Sequence, residues 1–412
     1  MKRLALGIGL VAAAPLGVAA QLPDNPALRN ALSILQRDNA WTLEQQVSIC
    51  EIPAPPFKEE RRAAEYARRF RTLGYQPTVD SIGNVIAIRK GSGRGRRIMI
   101  SAHLDTVFPE ETDVTVKRQG NRYLGPGIGD DCRGLAVVLA VARAVALADV
   151  TTEGDILFVG TVGEEGPGNL RGVRHLFERK PVGTVDAFIS VDGIGLGLVS
   201  GGVGSNRYRV DFTGPGGHSY GHFGMPNPIH AMGRAIAAIA DLEVPGAPRT
   251  TFNVGIVEGG TSINSIAFRG SMQVDLRSVS APVLARLDSA FRRAVHQAVD
   301  AERRRWPQSS AGLVVEIVDM GRRPAGTQPD SLWLVRGARQ AASALGFAAP
   351  APGVGSTDAN LPISLGIPAI TIDGGGTGGG THSLAEWYED GPRGYLGPQW
   401  ALLTVWNAAR AR

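Results

Sequence analysis

Histidine and carboxylate side chains follow several short apolar runs in this chain, at the points where strands would end. These residues are His103 and Asp105 after the run 98–102, Glu164 and Glu165 after 156–162, Asp192 after 187–191, and His382 after 368–372 and a glycine loop. Asp130, in "GIGDDCRG", stands just before a helical pattern. In open α/β sheets the carboxyl ends of the strands form the ligand crevice. We therefore expect these side chains to converge at one edge of a sheet.

Such a cluster of carboxylates needs a cation, because unpaired buried charges are too costly. Two metal ions would satisfy it: His103 and His382 can each bind one, Asp130 can bridge both, and Glu165 and Asp192 can complete the two sites. Imidazole and carboxylate ligands without thiolates favour zinc, with cobalt or manganese as substitutes. A metal pair can activate water for hydrolysis. Glu164 is then placed to take the proton of that water, and Asp105 to orient the His103 ring.

The elements around these residues predict an α/β fold. The four apolar runs read as buried strands, and helical patterns at 134–148 and 330–346 lie between or beside them. Strands that are apolar on both faces and alternate with helices indicate a mainly parallel sheet with helices on both sides.

The middle of the chain has a different pattern. "RYRVDF" and "SMQVDLRS" alternate apolar and polar residues, and 229–242 and 282–305 read as amphipathic helices. This predicts an α+β unit inserted into the catalytic domain. We predict a signal peptide at 1–20, the catalytic domain at 21–203 and 319–412, and the inserted unit at 204–318.

The first twenty residues and the composition restrict the classes of protein to which this chain can belong. "MKRLALGIGLVAAAPLGVAA" has the basic start, short apolar stretch and small residues of a secretory signal, so we expect an exported protein, periplasmic or secreted. No later run is long enough for a transmembrane helix, and we expect no membrane association after cleavage. The net charge is +5 without a cluster of basic and aromatic residues, so no nucleic-acid partner is expected. Cys50 and Cys132 can form one disulfide or remain two thiols.

In order and spacing, these residues resemble the di-zinc metallopeptidase family that includes peptidase T, carboxypeptidase G, aminoacylase and succinyl-diaminopimelate desuccinylase. The resemblance extends from "ICEIPAPPFKEE" to "THSLAEWYE". It implies five metal ligands and a general base, which are His103, Asp130, Glu165, Asp192, His382 and, as the base, Glu164. It also implies a cis peptide bond after Asp130. Where this chain has Cys132, the family usually has a lysine.

The resemblance also assigns the inserted unit, which looks like the family's lid and dimerisation domain. His218 in "GPGGHSY" matches a histidine that stabilises the oxyanion, often from the partner subunit of a homodimer. Asn264 and Arg277 match positions that hold substrate, and an arginine suits a substrate carboxylate.

The function that follows is a di-zinc exopeptidase acting on short peptides. Asp192, rather than glutamate, at its position resembles the aminopeptidases of the family, with peptidase T the most similar. An N-acyl amino acid deacylase or a carboxypeptidase of the same family is the alternative.

Two alternative interpretations assign the protein to other functional classes. "GHSYG" at 217–221 fits the G-x-S-x-G pattern of serine hydrolases, with Ser219, Asp358 and His382 in the expected order. That reading leaves Asp130 and the two glutamates without a role. A protein that binds metal or peptide without turnover is the other reading, and the presence of Glu164 argues against it.

Overall fold

The computed structural model describes residues 21–410 apart from 308, 310, 311 and 349. The predicted signal peptide lies outside the described residues. A nine-stranded sheet forms the centre of the catalytic part, in the order β1-β2-β6-β3-β7-β17-β8-β15, with β16 also paired to β8. Its strands are β1 (Thr78–Val79), β2 (Val85–Arg89), β3 (Ile98–His103), β6 (Ile156–Thr161), β7 (Ala187–Val191), β8 (Leu198–Gly202), β15 (Gly326–Thr327), β16 (Gly353–Gly355) and β17 (Ala369–Ile372).

The four central strands of this sheet, β6, β3, β7 and β17, are parallel and fully buried. Alternate residues of β3 enter different cores, Ile98 and Ile100 on one face and Met99 on the other. A strand covered on both faces must be apolar at every position, which is why the sequence shows continuous runs there. The predicted α/β fold with a mainly parallel sheet is confirmed.

Helices cover both faces of the sheet. One face packs against most of the long helices of the catalytic part, and the other against short helices. The long helices are α1 (Pro26–Arg37), α2 (Asn39–Cys50), α3 (Glu60–Thr72), α4 (Cys132–Leu147), α8 (Trp333–Ala344) and α10 (Leu396–Ala408). The short helices are α5 (Arg171–Arg174), which continues into a π-helical turn at His175–Arg179, and α9 (Asn360–Ser364). The predicted helices at 134–148 and 330–346 correspond to α4 and α8.

The inserted unit is a four-stranded antiparallel sheet, in the order β11-β13-β9-β14, with two helices on one face. Its elements are β9 (Gly204–Thr213), α6 (Pro228–Ala240), β11 (Thr250–Gly259), β13 (Arg269–Ser278), α7 (Ala281–Arg305) and β14 (Val314–Arg323). Tyr208, Val210 and Phe212 of β9 pack against the helices, so Arg207 and Arg209 lie on the opposite face. A two-stranded arm, β10 (Gly217–His218) and β12 (Ser265–Ile266), extends from this unit.

A second small antiparallel sheet, in the order β18-β19-β5-β4, lies beside the catalytic sheet. It is formed by β4 (Lys117–Gln119), β5 (Arg122–Leu124), β18 (Thr377–Gly379) and β19 (Trp387–Glu389). Its pairing of β5 with β19 brings the segment before Asp130 next to the segment after His382. Among the described residues, no helix is both long and apolar enough to cross a membrane.

Candidate metal centre

The carboxyl ends of three neighbouring parallel strands deliver the predicted ligands. His103 is the last residue of β3, Asp192 follows β7 directly, and Glu164 and Glu165 follow β6 across a turn at Gly163. Gly163 has a φ of +64°, and a Cβ there would lie 2.5 Å from the Arg171 side chain. The turn therefore requires glycine. His382 arrives from the loop after β18.

Two groups of three ligands share Asp130. One consists of His103, Asp130 and Asp192, and the other of Asp130, Glu165 and His382; within each group the ligand atoms lie within 4.8 Å of one another. Asp130 contacts a histidine with each oxygen: Oδ1 lies 3.0 Å from His103 Nε2, and Oδ2 lies 3.0 Å from His382 Nε2. The structure thus brings the five predicted ligands together and pairs Asp192 with His103 and Glu165 with His382.

Asp105 organises the adjacent turn as well as the histidine. Its carboxylate accepts hydrogen bonds from the backbone N–H groups of Glu164 (3.0 Å) and Glu165 (2.8 Å). His103 Nδ1 lies 3.1 Å from the Asp105 carbonyl oxygen and 3.6 Å from its carboxylate. Asp105 is fully buried, so its charge needs these donors. It therefore holds the two glutamates in place in addition to the His103 ring.

Carboxylates outnumber the cationic side chains in the cluster, and this raises the pKa of several of its members. Burial raises the pKa of Asp192 to about 7, with the nearby Asp130 charge adding to the effect. Hydrogen bonds to Asp130 and Glu165 raise the pKa of His382 to about 10. Burial opposes a charge on His103, but its contacts with Asp105 and Asp130 still hold its pKa well above the usual range. Divalent cations supply the charge that these groups otherwise take up as protons, and imidazole and carboxylate donors fit zinc.

Glu164, the predicted general base, is buried against an arginine. Arg323, the last residue of β14, donates from Nη1 to Glu164 Oε1 at 2.7 Å and from Nη2 to the Glu164 carbonyl oxygen at 2.5 Å. Burial raises the pKa of Glu164 well above its usual range, and the Arg323 charge counteracts part of that rise. A carboxyl with a raised pKa is suited to proton transfer near neutral pH.

The cluster opens into a cavity of about 350 Å³ between the catalytic part and the inserted sheet. Arg277 on β13 and Arg207 on β9 line its far side. Asp275 lies between them and binds both, with Arg277 Nε at 2.6 Å and Arg207 Nε at 3.4 Å. The arginines carry one more charge than this single aspartate neutralises, so an anionic group fits there.

His218, Asn264 and Ser219 lie elsewhere. His218 and Asn264 are exposed on the two-stranded arm, Ser219 beside them is half-buried, and none of the three lines the cavity of its own chain. His218 Nδ1 accepts hydrogen bonds from the N–H groups of Tyr220 and Gly221, both at 3.2 Å. Ser219 enters a turn rather than a helix, and Asp358 is buried against Thr161, so the serine-hydrolase geometry is not formed.

A family model for "Peptidase family M20/M25/M40" matches residues 99–393, which include all five predicted ligands. The chain belongs to this family. It is a hydrolytic enzyme of this family, and the predicted resemblance is confirmed. The family acts on peptide or acyl amino acid substrates.

Individual members of the M20 family match at low identity. The chain is 27% identical over 232 residues to succinyl-diaminopimelate desuccinylase of Leptothrix cholodnii, covering 52% of this chain and 60% of that relative. It is 27% identical over 274 residues to acetylornithine deacetylase of Vibrio atlanticus, covering 62% of this chain and 70% of that one. A tripeptidase structure from Staphylococcus aureus has a TM-score of 0.72 at 20% identity, with 89% and 98% of the two chains covered.

Two features of this M20 site were not identified from the sequence, and a third, the state of the two cysteines, was left open. Arg323 and Arg207 belong to no motif, and only the packing of the inserted sheet brings them to the cavity. Glu386, four residues after His382, binds the Asp130 loop. Cys50 and Cys132 form a disulfide with a Cα–Cα distance of 5.4 Å, which joins the end of α2 to the start of α4. The peptide bond between Asp130 and Asp131 is cis, as the resemblance implies.

Proposed function

We propose that this M20 enzyme is an exported, zinc-dependent aminopeptidase of short peptides. The observation that carries the proposal is the pair of ligand groups that share Asp130, with Glu164 beside them at the base of the cavity. The aspartate at position 192 and the similarity in fold to a tripeptidase support a peptide substrate. The names of the curated relatives favour the alternative, removal of an N-acyl group from an amino acid.

The residues of the site have distinct roles in this proposal. His103, Asp130 and Asp192 would hold one zinc ion, and Asp130, Glu165 and His382 the other. When bound, the two ions supply Lewis acidity, which polarises the scissile carbonyl and lowers the pKa of water. Glu164 takes the proton of the attacking water and passes it to the leaving nitrogen. Arg277 holds a carboxylate of the substrate, oriented by its own hydrogen bond to Asp275.

The arm is proposed to act across a homodimer. His218 and Asn264 are neighbours on the arm, where His218 pairs with Ser265, yet they do not line the cavity of their own chain. Large apolar side chains beside them are exposed, with Tyr220 at 89% and Ile263 at 103%. Exposed apolar groups of this size favour contact with a partner. In such a homodimer, His218 of one copy would enter the cavity of the other copy and stabilise the oxyanion formed there.

The proposed export is supported by the disulfide. Disulfides persist in oxidising compartments such as the periplasm and the extracellular space. The bond between Cys50 and Cys132 is therefore consistent with removal of residues 1–20 during secretion.

Metal content tests the central proposal. We expect elemental mass spectrometry to find two zinc ions per purified chain, and dialysis against a chelator to abolish hydrolysis until zinc is added back. The substrate panel compares tripeptides with N-succinyl and N-acetyl amino acids. Faster cleavage of the acylated amino acids would replace the aminopeptidase assignment with the deacylase one. A chain that binds no zinc and hydrolyses nothing would overturn both.

Arg277→Ala should lower kcat/KM for substrates with a free carboxylate about 10-fold to 100-fold, mainly through KM. This corresponds to about 1.5–3 kcal/mol, the usual strength of hydrogen bonds to a charged group. Steady-state kinetics on a tripeptide and its C-terminal amide would measure the effect, and the amide should be affected little. Arg209→Ala is the matched control, because Arg209 binds Asp211 on the same sheet and does not line the cavity. Equal losses for both peptides would show that Arg277 does not bind the carboxylate.

A further inference from the structure

Glu386 is a buried carboxylate that binds one stretch of backbone. It follows His382 by four residues and is 0% exposed. Its Oε1 accepts hydrogen bonds from the N–H groups of Gly129 (2.8 Å) and Asp130 (3.0 Å), and its Oε2 accepts one from Gly127 (3.1 Å). Its carbonyl oxygen accepts a fourth, from Gly125 at 3.0 Å.

These four bonds connect the two segments that carry Asp130 and His382. Asp130 meets His382 through its side chain and Glu386 through its backbone, so the two segments form a closed ring of contacts. The approach is tight, because a Cβ on Gly129 would lie 2.1 Å from Ile194 and 3.1 Å from Glu386 Oε1. A carboxylate offers only acceptors, which matches three converging N–H donors.

We infer that Glu386 is a positioning residue for the metal centre: it holds residues 125–130 so that both oxygens of Asp130 face the two histidines. Groups behind the ligands commonly tune metal affinity in this way. The inference rests on the proposed dinuclear site, but it concerns metal binding and not the choice of substrate.

Glu386→Gln tests the inference. Glutamine keeps one acceptor oxygen but replaces the other oxygen with an NH2 group, which is a donor. It therefore cannot accept from all three N–H groups, and its NH2 group would face the N–H of Gly127 or those of Gly129 and Asp130. We expect zinc affinity, measured by competition with a chromophoric chelator, to fall about 10-fold to 100-fold. The visible spectrum of the cobalt-substituted protein should also change, because the ligand geometry around Asp130 shifts. A merely structural role would lower the melting temperature of the metal-free protein without altering either metal readout.

Glu389→Gln is the matched control. Glu389 lies three residues further along, on β19, and its carboxylate is 3.5 Å from Arg122 at the surface. The zinc affinity of the Glu389→Gln protein should stay within about twofold of that of the wild type. Glu386→Asp, which keeps the charge but is one methylene shorter, is measured in parallel in case the glutamine variant does not fold, and should also lose zinc affinity.

The outcomes separate this inference from the proposed function. Unchanged zinc affinity and cobalt spectra in folded Glu386 variants would overturn the inference and leave the proposed function intact. A wild-type chain that binds two zinc ions but cleaves no peptide or acylated amino acid would overturn the proposed function, while weaker zinc binding by the variants would still support the inference.

Discussion

Glu164→Gln should leave the bound metal content unchanged, two zinc ions per chain in the proposed site, and lower kcat about 10²-fold to 10⁴-fold. General acid–base catalysis typically contributes this much, and the amide cannot take the proton of the attacking water. Metal retention is expected because Glu164 is not needed for either group of ligands that share Asp130. The substitution also keeps an oxygen to accept the hydrogen bond from Arg323, so the position of the side chain should change little.

Two measurements on the same sample check this result, zinc content and single-turnover kinetics at saturating substrate. Glu110→Gln is a suitable control, because Glu110 is an exposed partner of Lys58. A variant that keeps wild-type kcat would show that another group takes the proton. A variant that loses one zinc ion would instead make Glu164 a ligand, which its presence in a third group with His103 and Glu165 allows.

Replacing both Cys50 and Cys132 with alanine should destabilise the protein by about 4 kcal/mol. The disulfide joins positions 82 residues apart, and closing a loop of that size in the unfolded chain accounts for a loss of this order. Both cysteines are fully buried with Ile128 and Tyr388, so the lost sulfur contacts add to the effect. The midpoint and slope of urea unfolding, measured on metal-free protein, give the change in free energy of unfolding.

The metal-free condition matters because bound zinc would stabilise the folded state of both proteins by different amounts. Thiol titration of the unfolded wild-type chain should find no free thiol, and two after reduction. Reduced wild type should then unfold at a lower urea concentration, close to that of the double variant. Two free thiols without reductant, with equal midpoints for all three samples, would show that the disulfide does not form.

The sequence by itself was informative where one local rule governs a residue. Buried parallel strands must be apolar on both faces, so β3, β6, β7 and β17 were recognisable, and the polar residues that end them were visible as interruptions. Alternation on β9 and β13 likewise identified the inserted sheet. The order of these residues carried the resemblance to the M20 family, which the family model confirms. The roles of the individual ligands remain predictions.

Only the tertiary structure decided the features that depend on contacts between distant segments. The pairing of Asp192 with His103 reflects the adjacency of β7 and β3 in the sheet, whereas the pairing of Glu165 with His382 depends on where the loop after β18 lies. The salt bridge between Glu164 and Arg323 joins residues 159 positions apart.

The contact of Glu386 with the Asp130 loop depends on the pairing of β5 with β19, and the disulfide on the packing of α2 against α4. No local pattern encodes these distances, because each is set by how whole elements pack. The position of His218 outside the cavity of its own chain is likewise set by packing. His218 lies on an arm that extends from the inserted sheet, and the residues of the arm do not by themselves determine where the arm points.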